Sequence, residues 1–513
     1  MRVPLVIGDF LERCDLLGDG AALVDEPGTP GSLGAVSARE LVARARGLAL
    51  ALDRMGVGAG ERVAVVSPNA ARMTVAFLGV PAYGRVLVPL NYRLGPGEVG
   101  EIVARAGASV LLVDPELDEA LGEVRAEHRV VMDGVDDAEL FAPAREDPAP
   151  WPPDEDALAT LNFTSGTTAG AKGAMLTHRT VWIHALVFAW QIGVSARDVY
   201  LQTLPQFHAN GWGLPFALAA IGARQVVVRR IDGEEILRRV AAHGVTLLCG
   251  SPPVLTAALG AAEAWRARGE EPPGRGTVRY LVGGAAPPAS LLERAEAELG
   301  WELIHGYGLT ESAPVLTVNR LGPETDDLAT AERARRLTRA GPPVLGVRLR
   351  LDENGEVLAR SNHVFDGYWE NPEATESALE GGWLHTGDGG RLDPDGALVL
   401  TDRHKDVIVT GAENVTSIEV EDALAAHPAV AESAVIGVPD ERWGEAVKGL
   451  VVLRPGASAH EAELREFVRG RLAGYKVPKS IEFRDALPRT ATGKVQKYKL
   501  REPYWRGRER RIS

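Results

Sequence analysis

Cysteine is scarce in this chain. Only Cys14 and Cys249 occur in 513 residues, with no metal-ligand spacing and no disulfide framework around them. A cysteine-stapled scaffold and a thiolate metal centre are thereby excluded, and a reducing compartment, expected to be the cytoplasm, fits best. Long apolar runs are missing as well. No stretch approaches the roughly 20 apolar residues of a membrane span, and the opening MRVPLVIGDFLERC is broken by proline, glycine and aspartate before it could form a signal core. Integral membrane association is not expected. Positive charge is in deficit, with 56 Lys and Arg against 70 Asp and Glu and a net charge of −14. Such a field repels polyanions, so nucleic acid is an unlikely partner. Any phosphate bound must be held by local groups.

What is present is ordinary globular material, too long for one core, so two or more domains are expected. No internal repeat of fixed period shows. Short Val/Leu/Ile runs recur at RVAVV (62–66), SVLLVD (109–114), RQVVVRR (224–230), VTLLCG (245–250) and VRYLVGG (278–284). They read as strands buried on both faces. Amphipathic stretches at 37–56, 232–244 and 289–300 lie between them, opened by capping residues or closed by glycine. That alternation predicts doubly wound parallel sheets. The proline- and acid-rich EDPAPWPPDED (146–156) reads as a surface connector at a subdomain crossing. A further change near Asp402 opens a tail with a Thr416-x-x-Glu419 capping box, a strand at 432–438 and a helix at 458–473. The tail is long enough for a small domain.

The stretch LNFTSGTTAGAKGAMLTHR (161–179) carries the first chemistry. With a strand predicted at 157–163 and a helix at 175–190, the Ser/Thr/Gly run reads as a strand-to-helix loop. Glycine there lets backbone N–H groups approach an anion while hydroxyls add donors. A Walker A loop is the rival, but it needs glycine before the lysine and Ser or Thr after it. Here Ala171 precedes Lys172 and Gly173 follows.

The segment resembles the phosphate loop of the adenylate-forming enzymes, the superfamily of acyl-CoA synthetases, peptide-synthetase adenylation domains and luciferases. Thr164, Ser165, Gly166, Thr167, Thr168, Lys172 and Gly173 match, while Ala169 and Ala171 replace a glycine and a proline. Further resemblances follow in the family's order. They are GERVAVVSPNAARMTVAFLGVPAYGRVLVPLNYRL (60–94), VGGAAPP (282–288), HGYGLTES (305–312), GGWLHTGDGG (381–390), DRHKDVIVTGAENV (402–415) and PRTATGKVQKYKLR (488–501). Together they span nearly the whole chain. The implied fold is α/β: a large N-terminal adenylation domain (1–402) of doubly wound subdomains with a small β-barrel-like part, and a small mobile α+β C-terminal domain (403–513).

The resemblance implies an ATP-dependent acid–CoA ligase of the acyl-CoA synthetase branch. A carboxylate is a poor electrophile, so it first displaces pyrophosphate from ATP, and a thiol then attacks the acyl-AMP. Both steps rest on positioning and charge stabilisation. By resemblance, residues 164–173 hold the phosphates, Thr310 donates to one of them, and Thr168 and Glu311 hold Mg²⁺, which prefers oxygen ligands. Gly284, Ala285 and Tyr307 form the adenine site, Asp388 accepts from the ribose hydroxyls and Arg403 lies nearby. Lys494 would neutralise charge in the adenylation transition state. Asp402 is the expected hinge, and Gly411 the close approach to the CoA arm.

The acid is addressed by LPQFHANGWGLPF (204–216), which resembles the His-x-Asn-Gly-Trp pattern of the same branch. His208 is expected at the carboxylate end, Trp212 on the wall and Gly306 in the pocket. No arginine there offers to pair with a second carboxylate, which disfavours a malonate-type acid. An aliphatic acid of medium to long chain is the leading expectation, with aryl acids open. The expected partners are thus a small carboxylic acid, ATP and CoA, and a homodimer is compatible. Alternatives are an acyl-AMP ligase serving a carrier-protein phosphopantetheine, a luciferase-like oxygenase, or a catalytically silent binding protein that kept the fold. The last would be expected to lose Lys494, Glu311 or Asp388, and all three are present. No carrier signature appears before residue 513.

Overall fold

The apolar runs pair as their composition requires, but not in the order in which they occur. The structure, a computed structural model, describes residues 3–164, 171–403, 406–410, 413–440, 442–490 and 493–506, with Arg403 described in its backbone alone. A six-stranded sheet runs in the order His128–Val131, Ala108–Val113, Arg62–Val66, Val86–Leu90, Leu158–Thr164, Lys172–Thr177. An eight-stranded sheet runs Thr317–Arg320, Glu302–Tyr307, Arg279–Val282, Leu247–Gly250, Val199–Gln202, Arg224–Val227, Ala21–Val24, Ala35–Ser37. Both are parallel inside; the eight-stranded sheet ends on antiparallel strands at both edges and the six-stranded sheet at one, where hairpins replace crossovers. Val63, Val65, Leu111, Val226, Leu248 and Leu281 are fully buried, as strands covered on both faces demand. The expected helix at 37–56 is Ala38–Arg54, its first turn capped by Ser37, whose hydroxyl accepts from the Glu40 amide at 3.2 Å.

Three sequence readings are corrected. The connector at 146–156 is not a subdomain crossing, because the strands before and after it belong to the same six-stranded sheet. It is tied down by Trp151, whose indole donates to the Ala82 carbonyl at 3.1 Å and stacks on His178. The chain instead visits the eight-stranded sheet at 21–37, leaves it, and returns at Val199. Secondly, residues 172–177 form an antiparallel strand against Leu158–Thr164, and the helix begins only at His178, where Thr177 caps it. The Ser/Thr/Gly run therefore joins two strands of a hairpin, with no helix N-terminus behind it. Gly173 belongs to that pairing, since a Cβ there would lie 3.0 Å from Leu161 and 3.1 Å from Phe163. Thirdly, the capping box at Thr416 does not form: Glu419 pairs with Lys476 at 2.6 Å, and the helix Ser417–Ala425 is capped from outside by Asp402.

The small β part is a four-stranded antiparallel sheet, Arg348–Leu351, Glu356–Arg360, Leu384–Leu392 and Leu398–Arg403. Beyond it lies a separate sheet of strands Ile408–Thr410, Glu413–Val415, Val430–Asp440, Gly444–Leu453 and Ser480–Phe483. It is covered by Ser417–Ala425 and Glu461–Arg469 around a small core of Ile408, Val420, Leu424, Val447, Leu464 and Val468. The largest core is continuous from Val63 and Phe77 through Phe216 and Phe188 to Trp212 and Tyr307, so the packing of the first 400 residues reaches the expected site. Among the described residues no helix is long and apolar enough to cross a membrane.

Candidate active site

A cleft of about 700 Å³ opens where the last strands of the eight-stranded sheet face the C-terminal segment. Its lining gathers residues distant in sequence: Gly284, Ala285, Gly306, Tyr307, Asp388, Asp402 and Lys494. Strand ends place the first four. Gly284 follows Arg279–Val282, and Gly306 and Tyr307 close Glu302–Tyr307, so all face outward beyond the carboxyl ends of parallel strands, where open α/β sheets bind ligands. The Tyr307 hydroxyl donates to Asp388 Oδ2 at 2.9 Å, fixing one carboxylate oxygen beside the cleft. Asp388 pairs in register with Arg403 on the neighbouring strand.

Lys494 comes from the opposite side. Its amide donates to Thr490 Oγ1 at 3.1 Å, and the preceding Gly493 packs against Ser251 and Pro253. Lys494 is half-buried, and its charge is felt by His208: burial first, and the lysine second, push the His208 pKa down to about 4. His208 is therefore neutral at physiological pH and able to donate or accept one hydrogen bond.

A second group lies beside the cleft without lining it. The Tyr368 hydroxyl donates to Glu311 Oε1 at 2.7 Å, and its ring lies 4.9 Å from the Lys172 ammonium. The Glu311 carbonyl accepts from the Phe365 amide at 2.8 Å. Lys172 and Glu311 are thus joined through Tyr368, a residue no motif points to, in the loop DGYWENP. Thr310 is buried in the turn Thr310–Ser312, and Thr164 donates its hydroxyl to the Lys172 carbonyl across the hairpin. Ser165, Gly166, Thr167, Thr168 and Gly411 lie outside the described residues, as does the Arg403 side chain.

The segment 208–213 is the most unusual piece of backbone. Ala209, Asn210, Gly211 and Trp212 all adopt left-handed conformations, with φ between 43° and 58°. Each costs a non-glycine residue about 1–2 kcal/mol, so the turn must be held from outside. Asn210 does this: its amide donates to Thr160 Oγ1 at 2.9 Å and its carbonyl accepts from Asn162 at 3.0 Å, deep in the six-stranded sheet. The turn delivers Trp212, 6% exposed, onto bare backbone. A Cβ at Gly283 would lie 2.6 Å from the indole and 2.9 Å from the Gly306 carbonyl oxygen, so only glycine admits the ring. Phe188 meets Trp212 edge-on, and His184 stacks on Phe188.

The arrangement pairs a nucleotide-sized cleft bearing a fixed carboxylate and a lysine with a neutral histidine and an aromatic wall next door. Comparison with known proteins agrees. The AMP-binding enzyme family matches residues 10–369, and the C-terminal domain of AMP-binding enzymes matches 419–494. A probable acyl-activating enzyme of Arabidopsis thaliana is 36% identical, over 97% of this chain and 96% of its own. A peroxisomal acetate/butyrate–CoA ligase of the same plant is 35% identical, over 90% and 89%. Among solved structures, an anthranilate CoA ligase in complex with anthranoyl-AMP superposes with a TM-score of 0.87 at 28% identity, covering 98% of this chain and 99% of that one.

Proposed function

The chain belongs to the AMP-binding enzyme family and is an AMP-forming acid–CoA ligase, and on that premise we propose that its acid is a short aliphatic carboxylate. The observation that carries this is Trp212. Its indole, held by a strained turn, lies against the backbone of Gly283, and on this reading it takes up volume that a long acyl chain would need. The acetate/butyrate–CoA ligase among the relatives supports the same reading. The expectation of a medium to long chain gives way to it.

In this reading Gly284, Ala285 and Tyr307 receive the adenine, and Asp388, oriented by Tyr307, accepts from the ribose hydroxyls. Neutral His208 meets the acid's carboxylate without adding charge. Lys494 faces the cleft and balances the negative charge that builds as the carboxylate oxygen attacks the α-phosphorus and pyrophosphate leaves. The thiol of CoA then attacks the acyl carbon, and AMP departs with that oxygen. Mg²⁺ would be held by Glu311 together with phosphate oxygens, neutralising charge on the pyrophosphate. Glu311 suits that ion, which uses one or two carboxylates plus phosphates, and among the described residues no group of three metal-ligating side chains competes for it. Asp402 is the hinge between units 1–402 and 403–513. We place the enzyme in the cytoplasm, although its cysteines do not decide the compartment: burial, and secondarily Asp15, push the Cys14 thiol up to about 12, and burial raises Cys249 as well.

The test is thioester formation from ATP, CoA and a ladder of straight-chain acids. The best substrate should be a short-chain acid, and Trp212→Ala should gain about fourfold in kcat/KM for each added carbon that fills the vacated volume. A wild-type optimum on long acids, or a Trp212→Ala profile of unchanged shape, would overturn the assignment.

A further inference from the structure

Three residues after Lys494 stands a second lysine, held differently from its neighbours. Tyr498 is 56% exposed, whereas the Lys497 side chain is only 14% exposed although it also borders the cleft. Its ammonium lies 2.7 Å from Glu421 and donates to the Ser417 hydroxyl. Ser417 in turn donates both its hydroxyl and its amide to Asp402 Oδ2, each at 2.6 Å. A chain of hydrogen bonds thus runs from Lys497 through Ser417 to Asp402, at the end of the four-stranded sheet. Glu421 is fixed from behind by the Val435 amide at 2.7 Å. One turn along the same helix, Lys497–Trp505, Arg501 pairs with Asp406 at 2.7 Å.

The other side of Lys494 is also anchored. Arg489 pairs with Glu432 at 2.9 Å, donates to the Gly493 carbonyl, and bridges to Val495. The segment carrying Lys494 is therefore tied at both ends. The Lys497 end reaches the strand from which Asp388's neighbour Arg403 also comes. Burial opposes the charge on Lys497, but Glu421 and then Asp402 outweigh it and raise its pKa above the ordinary lysine value.

We propose that Lys497 is a positioning residue for adenylation: by joining Glu421 and, through Ser417, Asp402, it sets the segment that holds Lys494 in the nucleotide cleft. This rests on the ligase reading and adds to it a residue that touches no substrate. It predicts a step-specific defect, because Lys494 is needed when the acyl-AMP forms and not when the thiol consumes it.

The experiment compares both half-reactions in Lys497→Met, Lys497→Arg and the double variant Lys497→Met/Glu421→Gln. ATP–pyrophosphate exchange should fall at least about tenfold in Lys497→Met, a conservative figure for a misplaced reacting group, while acyl transfer to CoA from supplied acyl-AMP stays within about threefold. Lys497→Arg should recover most of the exchange, since it keeps a cation within reach of both acids. If Lys497→Met fails to fold because Glu421 is left buried and unpaired, the double variant removes both charges and should fold with the same split. Equal loss in both half-reactions, or undiminished exchange in a folded variant, would overturn the proposal. Absence of exchange in the wild type would instead count against the ligase reading.

Discussion

The two walls of the cleft are built by different physics. The wall carrying Gly284 and Tyr307 stands on parallel strands buried on both faces, Tyr307 is itself part of the main core, and its hydroxyl ties in Asp388 from the antiparallel four-stranded sheet. The wall carrying Lys494 rests on two small cores, one of them with Leu487, Val495 and Leu500 around the lysine, and at the cleft charge adds to them: Lys497 with Glu421, Arg489 with Glu432, Arg501 with Asp406, and Asp402 on Ser417. Close packing gives one arrangement and resists deformation. Polar links can be exchanged for others at smaller net cost, because water and alternative partners replace them. On the proposed function, a fixed wall suits a nucleotide held through both half-reactions, and a charge-held wall suits a lysine proposed to act in only one.

This contrast can be broken experimentally. Asp388→Ala strikes the packed wall, and it should slow both half-reactions by about 10- to 100-fold, the worth of hydrogen bonds to a charged acceptor. A defect confined to adenylation would erase the distinction between the walls. A smaller effect concerns the packing behind Trp212. His184 and His363 are 2% and 1% exposed, and burial holds both pKa values below that of a free imidazole. Among the described residues neither ring nitrogen of His184 has a hydrogen-bond partner, nor does His363 Nε2. The folded state stays unprotonated while the unfolded chain binds protons below its pKa of about 6.5, so stability is lost as pH falls from there. His184, buried beside His363, should contribute to that loss. His184→Leu should therefore unfold at a temperature less sensitive to acid than the wild type, as read by thermal denaturation at both pH values. An unchanged pH dependence would mean that these imidazoles titrate normally.

Much of the packed wall was legible in the sequence. The strands at 62–66, 109–114, 245–250 and 278–284 were readable because burial on both faces leaves an unbroken apolar run, and Gly284 and Tyr307 sit in ordered motifs at the ends of such strands, whereas Asp388 was marked by its motif alone. The hairpin at 172–177 was hidden, since Met175 and Leu176 continue the apolar pattern of the helix behind them and only Thr177 marks its start. The left-handed turn at 209–212 was hidden for another reason: Ala209 and Trp212 seldom adopt positive φ, and what holds them there is Asn210 reaching Thr160 and Asn162 far upstream. The charged wall was the least legible. Lys494 was singled out by its motif and Asp402 as the expected hinge, but Lys497 and Glu421 are distant in sequence and each reads as a solvated charge until the fold brings them together. Tyr368 escaped because an isolated tyrosine in a polar loop carries no periodicity.

The most direct test of the difference between the walls is a rapid-quench measurement of both half-reactions in Lys494→Ala. Acyl-AMP formation from acid and ATP should fall by at least about 100-fold, the scale of losing one preorganised charge at a transition state, while acyl transfer from supplied acyl-AMP to CoA should remain within about threefold of wild type. A folded variant that loses both rates equally would contradict the account, for Lys494 would then belong to the fixed frame of the cleft.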